Sequence, residues 1–354
     1  MLIMKLLIMD NRYCFFCVGT GGHVLPAKNL IETLLNSGLS SKDIYIVTDL
    51  RGAKYFEDID IDVITKSFYV SSKGILEYLK STKQFISTLR ELYFELRSKN
   101  IKTIVTTGAY VAPYAALISL LINSKLFIQE QNQYAGLGNK VASYFPSKVV
   151  TSFPDTKNIR KKNIIHTGPV LNIKLTKDKY KKNTDTFTIG IQGGSQGSDE
   201  INQYLFKFLE NFKDKKVNFV HITGPNKNVK HRFDLSNYKQ YEFIDDMDSY
   251  YKNIDFQISR AGGGILEAAY LSIPQLLIPY KFGTTSSHQL LNAEYLKKNK
   301  IAVIAHDYAE FCAILQDVCL YKNKYLNENF HSPNIKVGNE DIFNLITLGE
   351  NGKF

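Results

Sequence analysis

The sequence predicts an α/β protein with two Rossmann-like domains, each built on a parallel sheet. Short β-rich runs alternate with longer helical ones along the chain, which is typical of parallel strands covered by helices. A unit of strand, glycine-rich loop and helix also occurs once in each half, beginning near Tyr13 and again near Phe187. This repeated unit predicts two domains that face a cleft. At 354 residues, the chain is long enough for two hydrophobic cores.

In the first half, apolar runs predict strands at Tyr13–Val18, Asp43–Thr48, Thr103–Thr107 and Leu126–Gln129. The first strand runs into Gly19–Gly22, and a helix follows from about Pro26. The segment Ile104–Ile122 carries no charge and is long enough to span a bilayer. Because Gly108 and Pro113 interrupt it, we expect a buried strand, a loop and a helix instead.

In the second half, further runs predict strands at Phe187–Gln192, Asn218–Thr223, Phe256–Ser259 and Gln275–Pro279. The first of these ends at the loop Gly193–Gly197, and Gly262–Leu271 predicts a helix that begins at glycine. Between the halves, Asp155–Asp185 is rich in Lys, Asn and Thr and poor in apolar residues. This segment predicts the domain boundary, with an N-terminal domain at 1–165 and a C-terminal domain at 166–336.

The formal net charge is +10, which favours an anionic partner such as phosphate, nucleic acid or an acidic membrane surface. Residues 1–165 hold 21 Lys and Arg against 13 Asp and Glu, a net charge of +8, so the excess lies mainly in the first half. The 44% of hydrophobic residues excludes a disordered chain. Four cysteines are too few for a disulfide scaffold. Cys14 and Cys17 should face opposite sides of one strand, which argues against a metal or redox pair.

Three glycine-rich loops, Gly19–Gly22, Gly193–Gly197 and Gly262–Gly264, each follow a predicted strand. Such loops let backbone N–H groups approach a phosphate at a helix N-terminus, and parallel sheets bind ligands at that edge. None has the spacing of a dinucleotide-binding or P-loop motif, which argues against a dehydrogenase or an NTPase. The alternative is that the glycines only permit tight turns. His23 follows the first loop, and imidazole suits a general base, although a packing histidine is the alternative.

These motifs resemble, in order, the signatures of the MurG family, the UDP-N-acetylglucosamine–N-acetylmuramyl-(pentapeptide) pyrophosphoryl-undecaprenol N-acetylglucosamine transferases. The matching segments are Gly19–Ala27, Thr107–Val111, Glu130–Asn132 with Ala135–Lys140, Gly193–Gly197 with Asn202, Phe243–Met247, Arg260–Gly262 with Glu267, and His288–Gln289 with Asn292–Ala293. The resemblance implies a GT-B fold. It also implies inverting transfer of N-acetylglucosamine from UDP-N-acetylglucosamine to the 4-hydroxyl of undecaprenyl-pyrophosphoryl-muramoyl-pentapeptide, which converts lipid I to lipid II in peptidoglycan synthesis. A helix at about 337–350 would pack back on the N-terminal domain.

The resemblance also implies roles for individual residues. His23 and Glu130 would be catalytic, and the sequence leaves open which of them is the general base; for Glu130, a solvated residue at a strand end is the alternative. The donor would contact Asn132, Ser195, Gln196, Phe243, Ile244, Arg260, Gly263, Gly264, Glu267, His288 and Gln289. The acceptor would contact Thr20, Gly21, Gly22, Tyr110, Asn139 and Asn202. No metal or cofactor is implied, because helix dipoles and amides would stabilise the departing UDP.

The chain departs from the family pattern at three places near these motifs. One is Gly283–Ser287, before His288, which is longer than in some relatives. Leu171 follows Thr167–Val170, where the family usually has Arg. The stretch between Arg260 and Glu267 is one residue shorter than usual, and Gly263–Ile265 replace the family's Ser and Thr. The grip on the donor phosphates is therefore expected to differ.

A lipid acceptor requires contact with a membrane surface. Residues Lys73–Lys99 predict one or two amphipathic helices with an apolar face bordered by cations. We expect an anionic bilayer to be contacted by Ile75, Leu76, Leu79, Lys80 and Lys83. An ordinary core-facing helix is the alternative. The implied location is peripheral, at the cytoplasmic face of the inner membrane.

Three other functions stay open at this point. One is a related GT-B transferase that acts on another lipid-linked cell-surface glycan, and a second is a UDP-sugar 2-epimerase of the same architecture. The third is a nucleic-acid binder, prompted by the net charge of +10. The chain has no basic helix of sufficient density or aromatic interleaving for that role, so we expect no nucleic-acid partner.

Overall fold

The computed structural model describes residues 11–68, 75–175, 177, 186–214, 216–227, 236–282, 286–326 and 335–349. The chain divides into two compact units. The N-terminal unit comprises residues 1–173 and 336–354, and the C-terminal unit comprises residues 174–335. The boundary between the units falls after residue 173, whereas the sequence predicts it after residue 165. A boundary at 165 would cut the strand Ile164–His166, which belongs to the first sheet.

The N-terminal unit contains a parallel sheet. Its strands are β1 (Arg12–Phe16), β2 (Ile44–Thr48), β3 (Asp62–Thr65), β4 (Ile101–Thr106), β5 (Lys125–Glu130), β6 (Lys148–Thr151) and β7 (Ile164–His166). Their order is β3-β2-β1-β4-β5-β6-β7, and every neighbouring pair is parallel. The direction of progression reverses between β1 and β4. Loops that leave these two strands diverge at the carboxyl edge, which is where open parallel sheets bind their ligands.

Helices of the N-terminal unit are α1 (Gly21–Asn36), α2 (Leu50–Ala53), α3 (Ile75–Arg97), α4 (Ala112–Leu121) and α5 (Leu137–Ala142). Alternate residues of β1 face two separate cores. Cys14 and Phe16 lie in the core that α3, α4 and α5 cover, whereas Phe15 and Cys17 lie in the core that α1 covers. The predicted opposite orientation of the two cysteines is therefore confirmed.

The uncharged segment Ile104–Ile122 forms the end of β4, a short 3₁₀ turn at Ala109–Val111 and then α4, as predicted. Gly108 precedes the turn with φ +104°, a backbone conformation that favours glycine. Within the described part of the chain, no helix is long and apolar enough to cross a membrane.

The C-terminal unit contains a second parallel sheet. Its strands are β8 (Phe187–Gln192), β9 (Val217–Ile222), β10 (Tyr238–Tyr241), β11 (Phe256–Ser259), β12 (Gln275–Leu277) and β13 (Ala302–Ile304). Their order is β10-β9-β8-β11-β12-β13, again with all neighbours parallel. The helices are α6 (Asp199–Leu209), α7 (Met247–Lys252), α8 (Gly264–Tyr270), α9 (Ser286–Lys298), α10 (Tyr308–Leu320) and α11 (Lys322–Leu326). Here the reversal lies between β8 and β11, the two strands that precede the second and third glycine loops.

The final helix, α12 (Asn339–Thr347), belongs to the N-terminal unit. Ile342 and Ile346 are buried in the same core as α1. Asn339 fixes the start of the helix: its Oδ1 accepts the Leu171 N–H at 3.0 Å, and its Nδ2 donates to the Leu171 carbonyl at 2.9 Å and to Thr33 Oγ1 at 3.1 Å. At Leu171, where the family usually has Arg, the backbone therefore binds the last helix through Asn339.

A buried histidine on β9 connects two elements of the C-terminal unit. His221 on β9 is fully buried and lies 2.9 Å from both Asn202 Oδ1 and the Tyr238 hydroxyl. Asn202 Nδ2 donates to the Thr223 carbonyl at 3.1 Å, so its Oδ1 accepts from His221 Nε2. The Tyr238 hydroxyl lies against His221 Nδ1 and donates to Gln240 Oε1 at 3.0 Å. Burial lowers the pKa of His221 to about 3, so the ring is neutral.

We predict that Asn339→Ala lowers the free energy of unfolding of the N-terminal unit by about 3 kcal/mol, because it leaves the buried N–H and C=O of Leu171 without partners. Urea denaturation measures this change. Asn344→Ala is the matched control, since it lies on the same helix and is only half-buried; its effect should stay within about 0.5 kcal/mol. Equal destabilisation by the two variants would contradict the role of Asn339.

We predict that acid destabilises the C-terminal unit through His221. The unfolded chain protonates this histidine below about pH 6.5, whereas the folded chain does so only near pH 3. Between these values the unfolded state binds more protons, so the free energy of unfolding falls by about 1.4 kcal/mol per pH unit as the pH decreases. Urea midpoints of wild type should therefore fall more steeply from pH 6.5 to 4.5 than those of His221→Gln. The exposed His306→Gln control should follow wild type, and parallel curves for all three proteins would overturn this expectation.

Candidate functional site

The first glycine loop leaves β1 at the point where strand order reverses. Gly19 has φ +88°. The helix α1 begins at Gly21, whereas the sequence predicts its start near Pro26. Proline has no N–H, so Pro26 cannot donate to the Gly22 carbonyl four residues earlier. The Gln131 side-chain amide donates to that carbonyl instead. The loop that follows β5 is thereby tied to the first turn of α1.

His23 lies in the first turn of α1 and contacts the loop that follows β4. Its Nδ1 is 2.9 Å from the Thr107 carbonyl, and Thr107 Oγ1 donates to the His23 carbonyl at 2.6 Å. A carbonyl oxygen can only accept, so Nδ1 carries a ring proton, and the neutral form of this tautomer has its lone pair on Nε2. The ring is half-buried. This two-way contact fixes both the orientation and the tautomer of the imidazole, as a general base requires.

Glu130 ends β5 and is only 2% exposed, so it is not a solvated turn residue. Its Oε1 accepts from the backbone and side-chain nitrogens of Asn132 at 2.9 and 3.1 Å. Its Oε2 accepts from Asn139 Nδ2 at 2.9 Å and from the Gly136 N–H at 3.2 Å. Both carboxylate oxygens are therefore engaged within one loop. Asn139 is itself 1% exposed and also donates to the Gln129 carbonyl at 3.1 Å.

A cluster that the sequence does not predict lies at the end of β2, beside the same glycine loop. Asp49 Oδ1 accepts the N–H groups of Gly19 and Gly52 at 3.1 and 2.8 Å, and Oδ2 accepts the Tyr110 hydroxyl at 2.6 Å. Burial alone would raise the pKa of Asp49, but the hydrogen bonds from Tyr110 and the two glycines outweigh it, and the pKa is lowered. Burial and the Asp49 carboxylate raise the pKa of Tyr110, so its hydroxyl stays protonated. The only sequence signal for this pairing is the acidic residue that follows a strand.

In the C-terminal unit, β8 runs into the loop Gly193–Gly197. Ser195 is half-buried and Gln196 is exposed. Gly197 has φ +66°, and a Cβ there would lie 2.0 Å from the Thr223 carbonyl, so only glycine fits. Asn202 holds that same carbonyl from behind and is 2% exposed. Asn202 therefore braces the loop through Thr223, which differs from the direct acceptor contact that the resemblance implies.

Arg260, at the end of β11, joins two loops of the C-terminal unit. Its Nη2 pairs with Glu200 in the first turn of α6 at 2.7 Å, and its Nη1 donates to the Ile278 carbonyl at 3.0 Å. The guanidinium also lies over the Tyr280 ring, 5.4 Å from its centroid. Because its side chain is only 10% exposed, Arg260 connects the second glycine loop to the third rather than presenting an open cation.

The other predicted donor residues surround α8 in the C-terminal unit. Gly263 and Gly264 start this helix, and Glu267 in its first turn accepts the Tyr251 hydroxyl at 3.1 Å. Phe243 is 53% exposed, as a stacking platform requires, and Ile244 packs partly against the core next to it. On α9, His288 and Gln289 are half-buried, and Gln289 Oε1 accepts the Tyr280 N–H at 2.9 Å.

The structure therefore forms two groups of predicted site residues, one in each unit. The group in the N-terminal unit contains Thr20, Gly21, Gly22, His23, Tyr110, Glu130, Asn132 and Asn139. The group in the C-terminal unit contains Ser195, Gln196, Phe243, Ile244, Gly263, Gly264, Glu267, His288 and Gln289. Asn132, predicted to contact the donor, is thus found beside Glu130 in the N-terminal unit.

Of the predicted membrane residues, Lys83 is exposed, whereas the side chains of Ile75, Leu76, Leu79 and Lys80 lie outside the described part of the structure. Exposed apolar side chains are found elsewhere on the α3–α4–α5 layer. They are Ile86, Phe94, Leu120, Leu121, Leu137, Val141 and Tyr144. Arg90 and Arg160 lie over the rings of Phe94 and Tyr144, so a guanidinium accompanies each of these two exposed rings.

Comparison with solved structures supports the fold. The chain is similar to the crystal structure of Acinetobacter baumannii MurG, with a TM-score of 0.69 and 20% identity over 95% of this chain and 99% of that one. It is also similar to a putative UDP-N-acetylglucosamine 2-epimerase from Listeria monocytogenes, with a TM-score of 0.67 and 13% identity over 98% of both chains. At these identities the likeness shows the fold alone, and the fold does not separate the two activities.

Comparison of sequences distinguishes them. Residues 13–151 match the glycosyltransferase family 28 N-terminal domain, and residues 188–332 match the glycosyltransferase family 28 C-terminal domain. A relative from Rickettsia bellii, a UDP-N-acetylglucosamine–N-acetylmuramyl-(pentapeptide) pyrophosphoryl-undecaprenol N-acetylglucosamine transferase, is 31% identical over 304 residues, which are 80% of this chain and 82% of that protein. With both glycosyltransferase domains matched in order and this identity along most of its length, the chain is a GT-B glycosyltransferase of the MurG family.

Proposed function

We propose that the chain transfers N-acetylglucosamine, with inversion, from UDP-N-acetylglucosamine to the 4-hydroxyl of undecaprenyl-pyrophosphoryl-muramoyl-pentapeptide, converting lipid I to lipid II. The activity named for the Rickettsia bellii relative supports this donor and this class of acceptor. The observation that carries the mechanism is the imidazole of His23, whose Nδ1 donates to the Thr107 carbonyl.

His23 Nε2 is the general base in this proposal. It accepts the proton of the acceptor 4-hydroxyl while that oxygen forms a bond to the anomeric carbon of the donor sugar. The bond from this carbon to the phosphate oxygen breaks on the opposite face, and UDP leaves with the electron pair. As the ring becomes an imidazolium, its Nδ1–H stays bonded to the Thr107 carbonyl, which stabilises the charged form.

Glu130 has a different part in the reaction. Its two carboxylate oxygens accept four hydrogen bonds from Asn132, Gly136 and Asn139, so neither is poised toward a substrate hydroxyl. We assign it as a positioning residue that orders the loop after β5. Of the two candidates that the sequence leaves open, His23 is therefore the base.

The C-terminal unit suits a nucleotide sugar. The exposed Phe243 ring offers a stacking surface for the uracil, and Glu267 offers a carboxylate for the ribose hydroxyls. Backbone amides at Gly263 and Gly264 start α8, so they can donate to the diphosphate that leaves. Ser195 and Gln196 can add donors from the other loop at the strand reversal, and His288 with Gln289 can contact the sugar.

We further propose that the α3–α4–α5 layer rests on the cytoplasmic face of the inner membrane. The three helices cover one core, and their outer side carries exposed leucine, isoleucine and aromatic side chains. Lys83, Arg90 and Arg97 on α3 can contact anionic headgroups while the apolar side chains enter the interface. This surface and the acceptor residues belong to the same unit, so lipid binding and membrane contact share one domain.

We predict that His23→Gln lowers kcat by about 10² to 10⁴, because a positioned general base contributes that factor. The measurement is transfer of labelled N-acetylglucosamine to lipid I or a short-chain analogue. Glu130→Gln should lower kcat less and should also lower the melting temperature, since an amide NH₂ would face donors in the loop. His166→Gln, exposed in the same unit, is the control. An unchanged kcat for His23→Gln would refute the assignment of His23 as the general base. Formation of UDP-N-acetylmannosamine without transfer would refute the proposed reaction.

We predict that Ile86→Ser/Phe94→Ser weakens binding to phosphatidylglycerol vesicles at least about tenfold, because two exposed apolar side chains no longer enter the interface. Vesicle co-sedimentation measures this, and activity on a soluble acceptor should be retained. Leu320→Ser is the matched control, since Leu320 is 74% exposed in the C-terminal unit. Equal vesicle binding by the double variant and wild type would contradict the proposed membrane surface.

A further inference from the structure

Arg51 is brought to the edge of the N-terminal sheet by the turn that follows β2. Asp49 caps α2 by accepting the Gly52 N–H and also accepts the Gly19 N–H, so the turn is held against the first glycine loop. Arg51 is the second residue of α2. Its Nη2 is 3.8 Å from the point that a Cβ on Gly19 would occupy. The guanidinium therefore lies beside the backbone of the loop that leads to His23.

The Arg51 side chain is held in place although it is exposed. Its Nε and Nη2 donate to Asp49 Oδ2 at 3.3 and 3.2 Å, and Nη2 also lies 3.2 Å from the Tyr110 hydroxyl. The side chain nevertheless keeps 65% of its surface exposed. Within the described residues, Nη1 forms no hydrogen bond. One edge of the guanidinium is thus fixed by the protein, and the other is presented to solvent.

Stability of the fold gives little reason for this arrangement. The Asp49 carboxylate already accepts two backbone N–H groups and the Tyr110 hydroxyl. An exposed ion pair contributes at most about 1 kcal/mol. Ordering a long side chain in advance, by contrast, removes an entropic cost that a ligand would otherwise have to offset when it binds. The arrangement is therefore that of a binding residue.

The surroundings of Arg51 favour an anion. The first turn of α1, a 16-residue helix, contains no acidic residue, and the Thr20 side chain does not cap it. The Asp49 carboxylate accepts the Gly19 N–H just before this turn and leaves the N–H groups of the turn itself without a side-chain cap. A guanidinium matches two phosphate oxygens better than an ammonium does, because its N–H groups lie in one plane. A lipid-linked acceptor carries a diphosphate next to the sugar that reacts.

We propose that Arg51 binds the diphosphate of the lipid-linked acceptor, with Asp49 and Tyr110 as the residues that position it. This inference rests on the proposed function. It adds a residue outside the motifs that resemble the family signatures, and it gives the Tyr110 hydroxyl a task, which is to hold the arginine.

The test measures kinetics with a short-chain, soluble muramoyl-diphosphate acceptor. Arg51→Gln should raise the acceptor KM about tenfold or more, which corresponds to the loss of a charged hydrogen bond. The KM for UDP-N-acetylglucosamine should change less than twofold. Arg51→Lys keeps the charge but loses the planar guanidinium, so its acceptor KM should lie between those of wild type and Arg51→Gln. Lys102→Gln, at the amino end of β4, is the control. An unchanged acceptor KM for Arg51→Gln would overturn the inference.

A second arm separates the diphosphate from the carboxylates of the acceptor peptide. The increase in KM should be equal for acceptors with and without the pentapeptide, and an increase confined to the peptide-bearing acceptor would overturn the assignment. Calorimetry with geranyl diphosphate, at saturating UDP, gives a readout that does not need turnover: wild type should bind it at least fivefold more tightly than Arg51→Gln. If wild type and Arg51→Gln bound geranyl diphosphate equally, the assignment of Arg51 to the diphosphate would be refuted even if wild type transfers sugar. If wild type transfers nothing but binds geranyl diphosphate through Arg51, the proposed function fails and the diphosphate site stands.

Discussion

The reversal of strand order between β1 and β4 is the constraint on which the N-terminal site depends. Because β2 lies on one side of β1 and β4 on the other, the chain that leaves β1 meets the ends of both neighbours. One neighbour supplies Thr107, which fixes the His23 ring, and the other supplies Asp49, which holds the Gly19 N–H. Pro26 adds a second constraint, since it leaves the Gly22 carbonyl without a helical donor, and Gln131 from the loop after β5 donates to that carbonyl instead. Three loops far apart in sequence are thus joined around one helix start.

The fold could be predicted from the sequence where strands are central and apolar, and less well where they are not. β1, β4, β8 and β11 lie inside their sheets and are mostly buried, so apolar side chains predominate in β1 and recur between the polar residues of the other three. The short strands β3, β7, β10 and β13 lie at the sheet edges, and the sequence does not predict them. It also does not predict β6, a four-residue strand between β5 and β7. β7 even lies within the polar segment Asp155–Asp185 that predicts the junction. Its place depends on pairing with β6, which a single segment does not encode.

The candidate site divides in a similar way. Glycine loops and the residues next to them are local patterns, so the sequence could indicate His23, Glu130 and the loop at Gly193. What these side chains do depends on partners across the sheet: Glu130 is a general-base candidate in sequence but an acceptor of four hydrogen bonds in the fold. Asn202 likewise becomes a brace only through His221 and Thr223. The pairing of Asp49 with Tyr110 spans 61 residues and follows no spacing rule.

The attachment of α12 to the N-terminal unit has a consequence for biosynthesis. The N-terminal core is completed only when Ile342 and Ile346 reach it, whereas the C-terminal unit is one continuous segment, residues 174–335. At about 5–20 residues per second on the ribosome, the intervening unit takes roughly 10 to 30 seconds to emerge. The apolar surface that α12 covers stays exposed to solvent for that time. The unit that is synthesised first is therefore expected to finish folding last, and a chaperone would find its binding surface there during translation.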